Sequence, residues 1–195
     1  GSVADETLMV RLMEGSLEAF DELYARHGTR IRTFVERFTG DPEAADDLVQ
    51  EVFLKVYRNP RLFDPRGRFL TWLYAVARNA CIDFLRVRKL PTVATIGGGD
   101  DDAPGYDPPA PAHDRPDEQT LDAELREQIG RLSTKLSPKL REVFILCAVQ
   151  GLSYEDAAAL IGCPVKTVSS RLSPARVRFM KEFSRYWDVD RPESA

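Results

Sequence analysis

Histidine, cysteine and long apolar runs are all scarce in this chain of 195 residues. The longest uninterrupted apolar stretch, Val143 to Val149, falls well short of the roughly 18 to 20 residues that cross a bilayer. No basic start precedes an apolar segment of the secretory kind, so the chain is read as cytoplasmic and without membrane insertion. Gly1-Ser2 read as a cloning remnant and are set aside. Cys81, Cys147 and Cys163 are odd in number, widely spaced and flanked by apolar residues, which suits reduced thiols acting as small core side chains. His27 and His113 are isolated, and without a Cys-x-x-Cys pair or a neighbouring His no metal site and no cofactor is expected. Carboxylate clusters, phosphate loops and nucleophile motifs are missing too, which argues against an enzyme. Strict alternation of apolar and polar residues is absent, so strands are not expected.

What is present is helical periodicity and an uneven distribution of charge. At 43% apolar residues the chain can bury a core, and its length suits one ordinary domain or two small ones. The net charge is −4, yet the acidity sits in the middle: residues 91–120 hold 7 acidic side chains and 1 basic one. Arg58 to Lys89 has 8 basic against 2 acidic side chains, and Pro164 to Arg185 has 6 against 1. Two separated basic segments on an acidic chain point to two contacts with a polyanion. Between Pro91 and Asp117 the periodicity stops, and six prolines, Gly97-Gly98-Gly99 and Asp100-Asp101-Asp102 fill the segment. Such a stretch buries too little to offset its ordering entropy, and it reads as a flexible acidic linker over residues 91–117.

The expected fold is all-α, with a helical module on each side of that linker. Asp5 is placed to cap a short first helix, and Ser16 a second whose stripe is Leu17, Phe20, Leu23, Tyr24, Ile31, Phe34, Val35 and Phe38. Asp41-Pro42 supplies a cap and first residue for a third, carrying Ala45, Leu48, Val49, Val52, Phe53 and Val56. A fourth runs from about Phe69 to Lys89. Beyond the linker, Leu121, Leu125, Ile129 and Leu132 mark a fifth helix, and Ser137-Pro138 opens a sixth that runs to Gly151. Ser153-Tyr154-Glu155-Asp156 matches a capping box, Gly162 makes a turn, and Pro164 opens a last helix bearing Val165, Val168 and Leu172. A short helix, a glycine turn and a helix with basic residues between apolar anchors describe a helix-turn-helix.

Three surfaces carry chemistry. On the second helix of the helix-turn-helix, Lys166, Thr167, Ser169, Ser170 and Arg171 are placed to meet base edges and phosphates, with Arg171 the foremost base contact. Arg176, Arg178 and Lys181 follow as phosphate contacts, which set affinity rather than sequence preference. In the first module, Arg58, Arg61, Arg66 and Arg68 share a loop with Pro60, Pro65 and Gly67, followed by Phe69-Leu70-Thr71-Trp72-Leu73-Tyr74. Cations interleaved with aromatics suit single-stranded nucleic acid, although Phe69, Trp72 and Leu73 fall on the apolar stripe and read as core by spacing. On the third helix, Asp41 and Glu43 suit the helix dipole, while Asp47, Gln50 and Glu51 lie too far along for that. They form either a rim for a protein partner or a merely solvated face.

The stretch Ala19-Phe20 to Tyr57, centred on Asp46-Asp47-Leu48-Val49-Gln50-Glu51-Val52-Phe53, resembles the polymerase-binding part of the extracytoplasmic-function group of bacterial sigma factors. Phe69 to Asn79, with Asp83 and Arg86, is similar to that family's segment for the promoter element nearest the start site. Leu136 to Leu172, including Gly151 to Ala158, is similar to its second DNA-binding domain. The resemblance implies a four-helix region 2 domain over residues 3–90, the linker, a region 4 helix-turn-helix domain over 118–187 and a tail over 188–195. It implies that Asp47, Gln50, Glu51 and Phe53 engage the clamp helices of the largest subunit of core RNA polymerase, whose flap is a further partner. It implies that Phe63, Asp64, Arg66, Arg68, Phe69, Asn79 and Arg86 bind the proximal promoter element, the loop and Asn79 capturing a base flipped from the non-template strand. Lys166, Thr167, Ser169, Ser170, Arg171, Arg176 and Arg178 would bind the distal element. An anti-sigma partner and a monomeric free state are further expectations of the resemblance.

Two departures from the family pattern stand in the last helix. Ser169 occupies a position where the family usually has Lys or Arg, and Pro174 one where Arg often follows. Proline in a helix interior removes a backbone bond, here to Ser170, and costs about 3 kcal/mol unless packing compensates. The competing reading is a stand-alone helix-turn-helix regulator whose first module dimerises or senses a ligand.

Overall fold

Ser16 and Asp41 decide where the two long helices of the first module begin. The computed structural model describes residues 3–88 and 123–189. The chain divides into two units, Gly1–Val93 and Ala94–Ala195. Every regular element among the described residues is helical. None of these helices is long and apolar enough to cross a membrane. The predicted linker, Leu121 at the head of the fifth helix, and His113 lie outside the described residues.

In the first unit α1 spans Asp5–Met13, α2 Leu17–Thr39, α3 Pro42–Arg58 and α4 Phe69–Val87. Ser16 Oγ accepts the Ala19 N–H at 3.2 Å, and Asp41 accepts that of Ala44 at 3.0 Å, each satisfying one of the donors a helix start leaves over. The Ala44 N–H foremost, and with it the Arg88 guanidinium that Asp41 pairs with just past α4, keep the Asp41 carboxyl below the ordinary range. Gly40 ends α2 at a φ of 71°, a left-handed cap that glycine adopts without strain. Burial of Ala45, Leu48, Val49, Val52, Phe53 and Val56 puts the whole predicted stripe of α3 in the core. At its centre Phe34 has no exposed surface and packs on Phe38 and Tyr74 at 5.4 and 5.2 Å between ring centroids. The stripe of α2 is narrower than the sequence implied: Leu17 and Tyr24 are 57% and 44% exposed.

Asp5 does not cap α1. Ala4 takes that position with no side-chain bond, because the Asp5 carboxylate is drawn to α2, where Arg26 Nη1 and His27 Nε2 each lie 2.8 Å from it. His27, isolated in sequence, is thus a buried partner of Asp5, its ring 5.5 Å from that of Phe69.

The second unit holds α5 (Ala123–Ser133), α6 (Pro138–Val143), α7 (Tyr154–Ile161) and α8 (Val165–Val189). The sixth helix does not continue to Gly151 as an α-helix. From Phe144 to Val149 it widens into a π-helix, with the Gln150 N–H donating to the Ile145 carbonyl at 2.8 Å. Phe144, Ile145, Leu146 and Cys147 are all buried, whereas Ala148 at the end of the apolar run is exposed and Val149 half-buried. Ser137 stands at the cap of α6, but its hydroxyl makes no cap bond. Leu132, Leu136, Phe144, Ala175 and Phe179 form one cluster of its core, with Phe144 and Phe179 stacked at 4.5 Å. Cys81 and Cys147 are buried free thiols; burial raises both pKa values, that of Cys147 to about 12, so neither is a ready nucleophile at neutral pH.

Gly162, at a φ of 79°, turns α7 into α8, and a Cβ built there meets nothing within 4 Å. The whole cost of Gly162→Ala is therefore conformational. We expect it to lower stability by about 1 kcal/mol in urea unfolding, with the denaturant slope unchanged.

Candidate nucleic-acid interface

The loop between α3 and α4 is short and tied to itself. After a single 3-10 turn at Pro60–Leu62, Phe63 turns inward, and the Gly67 N–H donates to the Asp64 carbonyl at 2.8 Å. Asp64 accepts from the Arg66 guanidinium at 2.9 and 3.0 Å and from the Arg66 N–H at 3.0 Å. Those bonds, the side-chain ones foremost, lower its pKa to about 2, so the hook is lost only as pH falls through that value. Arg66 remains 91% exposed, and Arg58, Arg61 and Arg68 are exposed beside it. Beneath them Phe63 lies 5.9 Å from Phe69 and 5.5 Å from Trp72, giving an aromatic floor on which Trp72 is half-buried. Asn79 is exposed further along α4, and Arg86 pairs with Asp83 at 3.4 Å.

The outer face of α3 is acidic at one end and apolar at the other. Arg32 holds Asp46 at 2.7 Å and Glu36 at 2.9 Å, and Glu51 pairs with Lys55 at 2.9 Å. Asp47, Gln50 and Glu51 face solvent. Leu54 and Tyr57, four and seven residues after Gln50 and so on its side of the helix, are each 46% exposed. A groove of about 400 Å³ between α2 and α3 is lined by Tyr24, Arg32, Val49 and Gln50 among others.

In the second unit, the Ser153 hydroxyl caps α7 by accepting the Asp156 N–H at 3.0 Å. Ala157 and Ala158 are buried, which lets α7 cross closely under α8, where Val168 and Leu172 are buried in turn. α8 starts at Val165, one residue after the expected proline, and is unbroken across Pro174. Lys166 and Arg178 are exposed; Thr167, Ser169, Ser170, Arg171 and Arg176 are half-buried. The Ser170 hydroxyl donates to the Thr167 carbonyl at 3.1 Å. Among the described residues no group of three or more His, Cys, Asp or Glu could hold a metal ion.

Each unit's sequence matches a known family model. The Sigma-70 region 2 family model matches residues 23–90, and that of Sigma-70, region 4 matches residues 126–179. The ECF RNA polymerase sigma-E factor of Haemophilus influenzae is 32% identical over 178 residues, 89% of this chain and 92% of that protein. The chain belongs to the extracytoplasmic-function sigma factors. This sigma factor is 29% identical to SigE of Mycolicibacterium smegmatis over 84% of its own length, and spans 61% of that longer protein. Among solved structures, the sigma factor RpoE of Bartonella quintana, determined with the anti-sigma factor NepR, aligns at a TM-score of 0.64 and 27% identity, over 90% of this chain and 100% of that one.

Three residues of this sigma factor to which the family resemblance gave contact roles are interior, two of them, Phe53 and Phe69, on stripes that apolar spacing already read as core. Phe53, Phe63 and Phe69 are 2%, 3% and 0% exposed. Each is an aromatic at the inward position of its helix or loop, where burying the ring outweighs displaying it, so each supports a surface from beneath. Phe53 props Phe20 and Tyr24, at 6.3 and 4.7 Å, behind the face that carries Gln50. Sequence reasoning missed the outward Leu54 and Tyr57, which the helical spacing from Gln50 could have found. It also missed Glu6, whose Oε1 accepts the Phe69 N–H at 3.0 Å, a contact that no spacing signals.

Proposed function

We propose that this sigma factor binds core RNA polymerase and brings it to promoters, with division of labour among the three surfaces. Asp47, Gln50 and Glu51 meet the clamp helices of the largest subunit, with Phe53 stiffening the helix behind them. The loop Asp64 to Arg68, with Asn79 and Arg86, holds the displaced strand of the proximal element over the floor made by Phe63, Phe69 and Trp72. Lys166, Thr167, Ser169, Ser170 and Arg171 read the distal element in the major groove, while Arg176 and Arg178 neutralise phosphates. The polymerase flap is the second unit's protein contact, and an anti-sigma protein is the regulator, as for the Bartonella relative. The protein acts in the cytoplasm, is monomeric when free and performs no covalent step.

The observation that carries this reading is the arginine loop. Its cations are exposed, it is braced by its own Asp64, and it stands on buried rings beside a helix whose outer face is acidic. A duplex-reading regulator has no use for such a loop, whereas a factor that opens DNA does.

The test is co-elution of the full chain with core polymerase, followed by selection of promoter fragments with that holoenzyme and run-off transcription from them. Stable association and factor-dependent transcripts support the reading. Symmetric dimeric binding to duplex DNA with no affinity for polymerase would overturn it in favour of a stand-alone regulator.

A further inference from the structure

We infer that Glu6 is a positioning residue for the arginine loop, a role that rests on the reading of that loop as the holder of single-stranded DNA. Helix α4 begins immediately after the loop, and its N-cap residue, Arg68, offers no side-chain cap bond. The opening N–H groups of a helix have no partner within it, and an uncapped first turn frays. Here the Phe69 N–H is taken by Glu6 Oε1 at 3.0 Å, from a residue 63 positions earlier. A carboxylate at that point also complements the positive end of the α4 dipole.

Glu6 is not spent on its own helix. Asp5 and Glu6 both fall in the first turn of α1, where acids suit the local dipole. Both carboxylates nevertheless leave α1: Asp5 goes to Arg26 and His27 on α2, and Glu6 to the start of α4. α1 is thereby a bracket joining two helices across the loop's base. The buried ring of Phe63, the bonds of Asp64 to Arg66 and Gly67, and the capped amide of Phe69 each help to fix the loop. Without the capped amide, the first turn of α4 samples more directions, and that freedom is lost again when DNA binds.

The sign of the effect separates this role from simple electrostatics. Removing an acid beside a group of arginines would by charge alone strengthen DNA binding. Loss of the brace weakens it. The experiment uses the holoenzyme and a fork-shaped probe, duplex through the distal element and single-stranded through the proximal one, cut from a promoter the wild-type holoenzyme selects. We expect Glu6→Ala to weaken fork binding about tenfold while polymerase association is unchanged. Glu6→Gln keeps the acceptor oxygen and should stay within about threefold of wild type, whereas Glu6→Asp keeps the charge but is too short to reach and should resemble Glu6→Ala. In the free chain, exchange of the Phe69 amide should accelerate in the Ala and Asp variants while amides of α2 and α3 keep their protection, which shows that the variants are folded. Fork binding by Glu6→Ala at or above the wild-type level, or a Phe69 amide that exchanges freely in the wild type, would overturn the role. Arg66→Ala separates the two ideas. If it weakens fork binding while Glu6→Ala does not, only the brace is rejected; if Arg66→Ala has no effect, the reading of the loop falls and the brace with it.

Discussion

Phe69→Ala should lower the stability of the first unit by about 3–5 kcal/mol and abolish promoter opening, whereas Arg66→Ala should leave the unfolding curve in place and lose opening alone. Phe69 has no exposed surface; its ring meets His27, Phe63 and Trp72 at 5.5, 5.9 and 6.1 Å, and its N–H donates to the Glu6 carboxylate. Truncation empties the centre of that cluster and loosens the first turn of α4, and a loss of this size is a large share of the roughly 5–15 kcal/mol that holds a domain folded. Arg66 is the opposite case, 91% exposed and bonded only within its own loop. Urea unfolding of the free chain gives the stability, and permanganate reactivity of a promoter bound by holoenzyme gives the opening. Equal destabilisation by both substitutions would mean that the loop is structural. Opening that survives Arg66→Ala would mean that its cations do not hold the strand.

The contrast between these two residues shows which parts of the molecule could be read from sequence. Apolar spacing placed the core stripe of α3 residue for residue, because a helix exposes one side to water and its register is fixed by the period. Caps at Ser16, Asp41 and Ser153 were legible because a side chain and the N–H it accepts are only three residues apart. The same logic failed at Asp5, where two cations distant in sequence won the carboxylate, and at Glu6, whose partner is no nearer. The π-helix at Phe144–Val149 was out of reach too: an apolar run signals burial but not which carbonyl each N–H will choose. Phe53, Phe63 and Phe69 mark a different limit. Family resemblance attaches a role to a position and says nothing of its burial, and all three rings are interior. Aromatic rings beside a charged loop serve both ends, and in this sigma factor those three rings took the interior while Trp72 stayed half outside.

Pro174→Arg should make the second unit both more stable and a stronger ligand for duplex DNA. α8 runs from Val165 to Val189 with Pro174 inside it. Proline has no N–H to give the Ser170 carbonyl, and its ring crowds the preceding turn, so an ordinary residue there should recover up to about 3 kcal/mol. Recovery will fall short of that figure to the extent that the buried Ala175 and Phe179 already compensate. The second gain is electrostatic. Position 174 lies three residues after Arg171 and four before Arg178, on the stripe that carries both, so a new guanidinium extends an existing line of cations along the groove. Its half-buried setting gives the aliphatic stem apolar surface to lie on while the head reaches a phosphate. One added phosphate contact steepens the log–log salt dependence by about 0.9, which amounts to about eightfold in affinity at 0.1 M salt and nearly nothing at 1 M. A salt titration of the full chain on duplex carrying the distal element measures the slope, and thermal unfolding measures the helix. Tighter binding with no change of slope would place the gain in the restored backbone bond alone. A parallel salt dependence at unchanged affinity would put position 174 away from the DNA, and with it the docking of α8 that Arg171 and Arg178 are taken to share.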